Sequence, residues 1–372
     1  MLLGYSRLYA PDAVEQALPD AAAAVALLGE QRPAVLSGLG EVARRHGRDA
    51  RALDAALLGA ARLGLRHGGL GGDFHAYHNE GHVLDVGHRR LLRLMAALGE
   101  SGPEAADVDL LLVFAACHDL RQRETVDVPG PVGGNEAASA AEAMRILESC
   151  GFRPELDRAQ FVALELMIAG STFDARPAES LPEHEPIGND DLPALVGGSL
   201  ARSLGAWLDT GLPGWRTDAD ARRGERLGRL AADLDTANVG ETFPQLCETA
   251  IQLCHEREMR CGRDLGSAAA ALPCLDFLGP GQDRYFNDLH RFSSREGERV
   301  FGPMKRENGP RVRSTTATLL AGFADRPPAS GRDSGRARGR RRRCRRRPRW
   351  RRRASSATCG TGAGRWPSRT PS

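Results

Sequence analysis

The sequence predicts an all-α fold, and three observations carry that prediction. Apolar residues recur at three- and four-residue steps, no stretch alternates as a half-buried strand does, and glycine and proline gather between the periodic segments. Residues 1–66 are rich in alanine and leucine, with Val35, Leu36, Leu39 and Val42 at helical spacing, and read as packing helices. A glycine-rich loop, Gly68 to Gly72, follows. Helices are then drawn at about 83–98, 107–122, 135–149, 155–169, 219–235 and 243–261. Between Pro177 and Gly214, four prolines (Pro182, Pro186, Pro193 and Pro213) mark a surface excursion that could serve as a lid. Residues 278–323 carry Tyr285, Phe286, Phe292 and Phe301 and read as an appended motif closing over the core. The organisation expected is packing helices over 1–66, a core over 67–262, an extension over 263–324 and a tail over 325–372.

The chain has 372 residues, 41% hydrophobic, enough for a sizeable core. Lysine and arginine total 51, yet Lys305 is the single lysine, and it sits in Met-Lys-Arg. A phosphate-binding P-loop, which needs a Gly-Lys-Ser/Thr step, is therefore excluded. The formal charge of +3 hides two opposed parts: residues 325–372 hold 17 arginines against 2 aspartates, which leaves the rest at −12. An acidic body does not suit nucleic acid, so any such role falls to the tail. From Arg332 onward there is no Leu, Ile, Val, Met or Phe, and the tail is expected to be disordered. It reads as a solvated appendage or the product of a shifted reading frame. No run approaches the 18 or so apolar residues of a membrane span, and the scattered cysteines suit reduced thiols. The expectation is a soluble, cytoplasmic protein with no membrane partner and an oligomeric state left open.

Three segments carry chemistry. His78 and His82 lie four residues apart, so on a helix both imidazoles face one side, as a pair of metal ligands requires. Cys117-His118-Asp119 ends the apolar run Leu110 to Ala116 and places a nitrogen donor beside a carboxylate. Asp233 and Asp235 supply further carboxylates after the arginine-rich stretch 222–229. A divalent ion held by such groups suits phosphoester cleavage, because it polarises the anionic phosphoryl group and lowers the pKa of bound water. The leaving oxygen also needs a proton near neutral pH, which imidazole is suited to give.

In this order the segments resemble the HD-domain superfamily of metal-dependent phosphohydrolases. Tyr77-His78-Asn79-Glu80-Gly81-His82-Val83-Leu84-Asp85-Val86 is similar to the Tyr-His-Asn-x-x-His-x-x-Asp-Val signature shared with cyclic-nucleotide phosphodiesterases. Asn135-Glu136-Ala137-Ala138-Ser139-Ala140 is similar to an element of small bacterial HD phosphohydrolases. The resemblance spans residues 74 to 240, less than half the chain, and implies an HD-domain-like helical bundle. It implies His82, His118, Asp119 and Asp233 as metal ligands, with Asp235 the competing choice for the last and otherwise an orienting group. His78 would give the proton, while Asp85 and Glu136 would orient water or ligands. The implied ion is manganese, iron, cobalt, zinc or magnesium, and the implied substrate a small phosphomonoester or phosphodiester, nucleotides included. Gln122 stands where phosphodiesterases place a further histidine, so one ion is expected rather than two. The rival reading is a non-catalytic or regulatory HD module that binds a metal, ligand or partner.

Other features read as structure. Cys247, Cys254 and Cys261 recur every seven residues, two helical turns or about 10 Å apart, too far for three thiolates to share zinc. His75 and His88 fall outside the motif and are expected to be exposed or hydrogen-bonded.

Overall fold

Why the chain builds a helical bundle is visible in its most apolar segment. Residues 105–117, Ala-Ala-Asp-Val-Asp-Leu-Leu-Leu-Val-Phe-Ala-Ala-Cys, are apolar on every side of a helix, and such a helix must be enclosed by others. The computed structural model describes residues 9–124, 132–174 and 198–339, and they form an all-α bundle. The N-terminal helices are α1 (Ala13–Ala17), α2 (Ala21–Gln31), α3 (Pro33–His46) and α4 (Ala50–His67). Next come α5 (Glu80–Leu84) and α6 (Leu91–Leu98), joined through one π-helical stretch, Asp85–Arg90. The central helix is α7 (Ala105–Cys117), followed by α8 (Gly134–Ser149) and α9 (Arg158–Ser171). Then follow α10 (Leu204–Gly211), α11 (Ala219–Asp235) and α12 (Phe243–Arg260). The C-terminal helices are α13 (Ala271–Asp276), α14 (Gln282–Arg284), α15 (Arg295–Gly322) and α16 (Gly331–Gly339). Among the described residues the β-structure is one antiparallel pairing of Phe173–Asp174 with Gly198–Ser199.

α7 packs on α4, α3 and α9, and α9 lies along α11 over most of its length. Glycine makes that last approach possible. A Cβ at Gly228 of α11 would stand 2.9 Å from the carbonyl oxygen of Leu166 on α9, and one at Gly170 would stand 3.1 Å from the carbonyl oxygen of Gly228. The π-helical stretch between α5 and α6 contains Arg90, a side chain only 2% exposed. Its Nε donates to Glu241 Oε1 at 2.9 Å and its Nη1 to the carbonyls of Leu234 and Asp235 at 3.0 and 2.5 Å. The last carbonyls of α11, which lack intrahelical partners, are thus held by a cation from a neighbouring helix.

Several expectations change in detail. The helix drawn over 107–122 stops at Cys117, with His118 as its cap, still in helical backbone angles, and a turn following at Asp119. The excursion drawn over 177–214 ends in α10, whose Trp207 and Leu208 pack with Trp215, Val162 and Leu166; residues 177–197, where a lid would lie, fall outside the described residues. The aromatic C-terminal region is mainly the long helix α15, packed on α6 and on the turn Ala237–Gly240. The tail expected to be disordered from residue 325 instead contains α16, packed against α13 and α12. A core of leucines is not required there: Gly331 brings the backbone against Cys274, while Ser334 and Arg338 are enclosed. Residues 340–372 fall outside the described residues. No described helix is long and apolar enough to cross a membrane.

Candidate metal centre

The site forms where α5, the end of α7 and the end of α11 meet. Asn79 caps α5, its side chain accepting from the Gly81 amide at 2.7 Å, and one turn on His82 points inward at 2% exposure. His118 follows the last residue of α7. Its Nδ1 lies 3.1 Å from the Phe114 carbonyl, which can only accept, so Nδ1 carries the proton and Nε2 presents a lone pair. That Nε2 faces Asp119 Oδ2 at 3.0 Å and Asp235 Oδ1 at 3.4 Å. His82 Nε2 lies 3.0 Å from Asp235 Oδ1 and 3.5 Å from Asp119 Oδ2.

Two nitrogens and two carboxylate oxygens thus converge. Donors about 2.0–2.2 Å from a shared tetrahedral ion stand roughly 3.3–3.6 Å from one another; two of the four nitrogen–oxygen separations here, 3.4 and 3.5 Å, have that spacing, and the other two, both 3.0 Å, are shorter. Direct hydrogen bonding accounts for only part of the cluster: His82 Nε2 and Asp235 Oδ1 are hydrogen-bonded at 3.0 Å, but His118 Nε2 and Asp119 Oδ2 are buried without a hydrogen bond of acceptable geometry. The field tells the same story. Burial disfavours the cationic form of His118, yet the carboxylates of Asp119 and Asp235 outweigh it and push its pKa well above the usual imidazole range. A pocket that would force a second proton onto His118 is also one that would hold a metal cation. The tethering of Nδ1 to a backbone carbonyl is the orienting contact that metal-bound histidines use. His82, Asp235 and His118 could therefore hold a metal ion, with Asp119 beside them.

The structure brings Asp235, not Asp233, to the histidines. Asp233 points the other way: its carboxylate accepts from the Ser293 and Ser294 amides and from Ser294 Oγ, at 2.7, 2.7 and 2.5 Å. Ser294 caps α15, so Asp233 ties the end of α11 to the start of α15, and both of its carboxylate oxygens are engaged there rather than at the cluster. Gln122, placed where a further histidine was sought, donates to Asp119 Oδ1 at 2.8 Å and leaves Oδ2 facing the histidines. Asp85 pairs with Arg89 and lines a cleft of about 750 Å³ bordered by Tyr77, His82, Arg32 and Glu80; neither His78 nor Glu136 lines it. Glu136, in the first turn of α8, lies within electrostatic reach of Asp119 and His78. Burial raises its carboxyl above the ordinary range, with Asp119 adding to the effect.

His78 is held by Glu256, a residue that the sequence reading did not single out. The Glu256 carboxylate accepts from the Tyr77 and His78 amides, both at 3.0 Å, and lies 2.5 Å from His78 Nδ1. Burial alone would push the His78 pKa down, but Asp119, Glu256 and Asp235 raise it to about 9. Glu256 itself is held far below the usual carboxylate range despite its burial, by the hydrogen bonds of His75 and His78. Glu256 was legible only as a carboxylate seven residues after Thr249 on the enclosed side of α12, where a solvated glutamate has no reason to sit.

His88 meets Glu41 at 3.0 Å and His75 meets Asp73 at 3.3 Å, so both are hydrogen-bonded, His75 while fully buried. Cys247 and Cys254 are buried and Cys261 exposed, so the three do not share one surroundings. Phe286 is spent in an apolar cluster with Val239, Leu246 and Val312. Comparison with protein-family models, with curated proteins and with solved structures returns no match.

Proposed function

We propose that this protein is a metal-dependent phosphohydrolase of HD type, acting on a small phosphomonoester or phosphodiester such as a nucleotide. The observation that carries the reading is the convergence of His82 Nε2, His118 Nε2, Asp119 Oδ2 and Asp235 Oδ1 beside a protonated His78. The first three residues and His78 are those that the resemblance singles out, and Asp235 completes the set. A divalent ion held there supplies positive charge to a phosphoryl group and lowers the pKa of water.

The chain's own residues then account for proton management. Asp119 and Glu256 favour the cationic ring of His78, and Glu256 engages its Nδ1, so Nε2 is the nitrogen left to give a proton to the leaving oxygen as the P–O bond breaks. With 23% of its side chain exposed, His78 is the more accessible of the two histidines in the motif. Glu136, its carboxyl raised by burial, is the carboxylate that would accept a proton from attacking water in this reading. Among candidate ions, the two imidazoles favour manganese, iron, cobalt or zinc over magnesium.

The test is hydrolysis of nucleotides, cyclic nucleotides and aryl phosphates by the full chain with each divalent metal, beside Asp235→Asn and His78→Gln. Turnover should require metal, vanish with Asp235→Asn and fall about 10²–10⁴-fold with His78→Gln while metal binding persists. Stoichiometric metal binding without turnover of any substrate would reject the hydrolase and favour a regulatory module.

A further inference from the structure

A second cluster lies at the end of α4, outside the centre just described. The glycine-rich loop after His67 folds back so that the His75 amide donates to the His67 carbonyl at 2.7 Å, which brings the two imidazole centroids within 4.3 Å. Both rings are buried, at 3% and 0% exposure. Asp73 Oδ2 lies 3.3 Å from His75 Nε2 and 3.6 Å from His67 Nδ1, while Arg123 donates to Asp73 Oδ1 at 2.8 Å and leaves Oδ2 turned toward the rings.

Hydrogen bonding leaves this cluster incomplete. Both ring nitrogens of His67 are enclosed with no hydrogen bond. His75 stands between two carboxylates, Asp73 at Nε2 and Glu256 at Nδ1, each 3.3 Å away. A neutral imidazole has one N–H, so one of the two carboxylates must face a lone pair. His75 Nε2 and Asp73 Oδ2 are hydrogen-bonded at 3.3 Å while Nδ1 lacks a hydrogen bond of acceptable geometry; moving the proton to Nδ1, toward Glu256, satisfies that side and frees the Nε2 lone pair for a cation held with Asp73 Oδ2. The separations of 3.3 and 3.6 Å match donors sharing one ion at ordinary bond lengths. Burial, with His75 and Arg66 adding to it, lowers the His67 pKa to about 3, so its imidazole is neutral, as a ligand must be. The half-exposed Asp73 gives an ion access from solvent.

We infer that His67, Asp73 and His75 form a second divalent-cation site, distinct from the His82/His118/Asp119/Asp235 centre and linked to it through Glu256. Two imidazoles and one carboxylate select a zinc-class ion, zinc, cobalt or nickel, over magnesium or calcium. Glu256 Oε1 meets both His75 Nδ1 and His78 Nδ1, so one carboxylate orients a ligand of this site and the proton-bearing histidine of the other.

The full chain, stripped by chelator and dialysed against zinc, should hold two ions by elemental analysis. Asp73→Asn and His67→Gln should each retain one, Asp235→Asn one, and Asp73→Asn with Asp235→Asn none, all with unchanged far-UV circular dichroism. Asp73→Asn keeps the side-chain shape at a half-exposed position, which guards against misfolding. As a second readout, cobalt in Asp235→Asn protein should give visible d–d absorption that the added Asp73→Asn abolishes. A single ion lost with Asp235→Asn and unaffected by Asp73→Asn would overturn this site alone. A single ion lost only with Asp73→Asn would uphold it and reject the other centre.

Discussion

Asp235 and Asp233, two residues apart, make opposite predictions when each is changed to asparagine. Asp235→Asn should abolish metal binding at the His82/His118 centre with little change in fold, because its carboxylate faces two histidines. Asp233→Asn should leave that ion in place and alter stability, since this carboxylate binds the start of α15. The pH sign separates them further. Burial raises the Asp233 pKa to about 7 from 3.8, against three donors that favour the anion. A raised carboxyl pKa means that the folded state binds the proton more tightly, so stability falls as pH rises from about 4 to about 7, by up to about 1.4 kcal/mol per unit. Denaturant titrations across that range should show the slope flattened in Asp233→Asn; an unchanged slope would refute the assignment. A second pH effect belongs to Glu256. With Glu256→Gln, His78 retains Asp119, Asp235 and Glu136 around it but loses its nearest anion, so its pKa drops. If His78 is the acid, the falling limb of kcat/KM moves to lower pH; a limb that stays put would remove Glu256 from that role. The sequence made His78, His82, His118 and Asp119 legible because each pair is close along the chain. It could not choose between the two aspartates, because residues at i and i+2 project to opposite sides of a helix and the choice depends on α15, about 60 residues away.

The site is positioned by how closely α9 approaches α11 and by what holds the end of α11. Gly228→Val would drive a side chain into Leu204 Cδ2 at 2.8 Å and the Leu166 carbonyl at 2.9 Å, and a backbone atom cannot swing aside. Thermal or denaturant unfolding should show a loss of about 1–3 kcal/mol or more, with weaker metal binding as Asp235 shifts. Gly211→Ala, with open space around it at the end of α10, serves as the matched control and should be neutral or slightly stabilising. Arg90→Met tests the other restraint. It leaves the enclosed Glu241 with only Arg89, 3.7 Å away, and frees the last carbonyls of α11, so a loss of up to about 3–5 kcal/mol is expected by denaturant titration. At this scale the sequence was informative where periodicity is strong. The stretches drawn over 219–235 and 243–261 are found as Ala219–Asp235 and Phe243–Arg260. It misplaced the end of α7 by five residues, because Leu120 continues the apolar pattern after the chain has turned out of the helix.

For the molecule as a whole, the question is where the folded body ends. Composition places the limit near residue 324, since the residues beyond hold almost nothing apolar, and on that reading a chain cut there loses nothing. The structure places α16 beyond that limit. Gly331 lies so close to Cys274 that a Cβ would stand 2.6 Å from its sulfur, and the Arg338 guanidinium reaches the Leu278 carbonyl. Composition misled here because a helix of glycine, serine and arginine can be buried by close backbone approach and by one enclosed cation, neither of which hydropathy records. Removing α16 uncovers Cys274 and takes the guanidinium from the Leu278 carbonyl. A chain ending at residue 339 should therefore unfold at the same temperature as the full chain, whereas one ending at 324 should melt several degrees lower. Calorimetry on the three lengths decides it: equal melting at 324 and 339 would show that α16 adds nothing. Among the described residues neither candidate centre draws a ligand from beyond residue 324, so zinc stoichiometry should be the same for all three lengths at temperatures where each is folded. A loss of zinc on cutting at 339 would place a ligand in the arginine-rich tail.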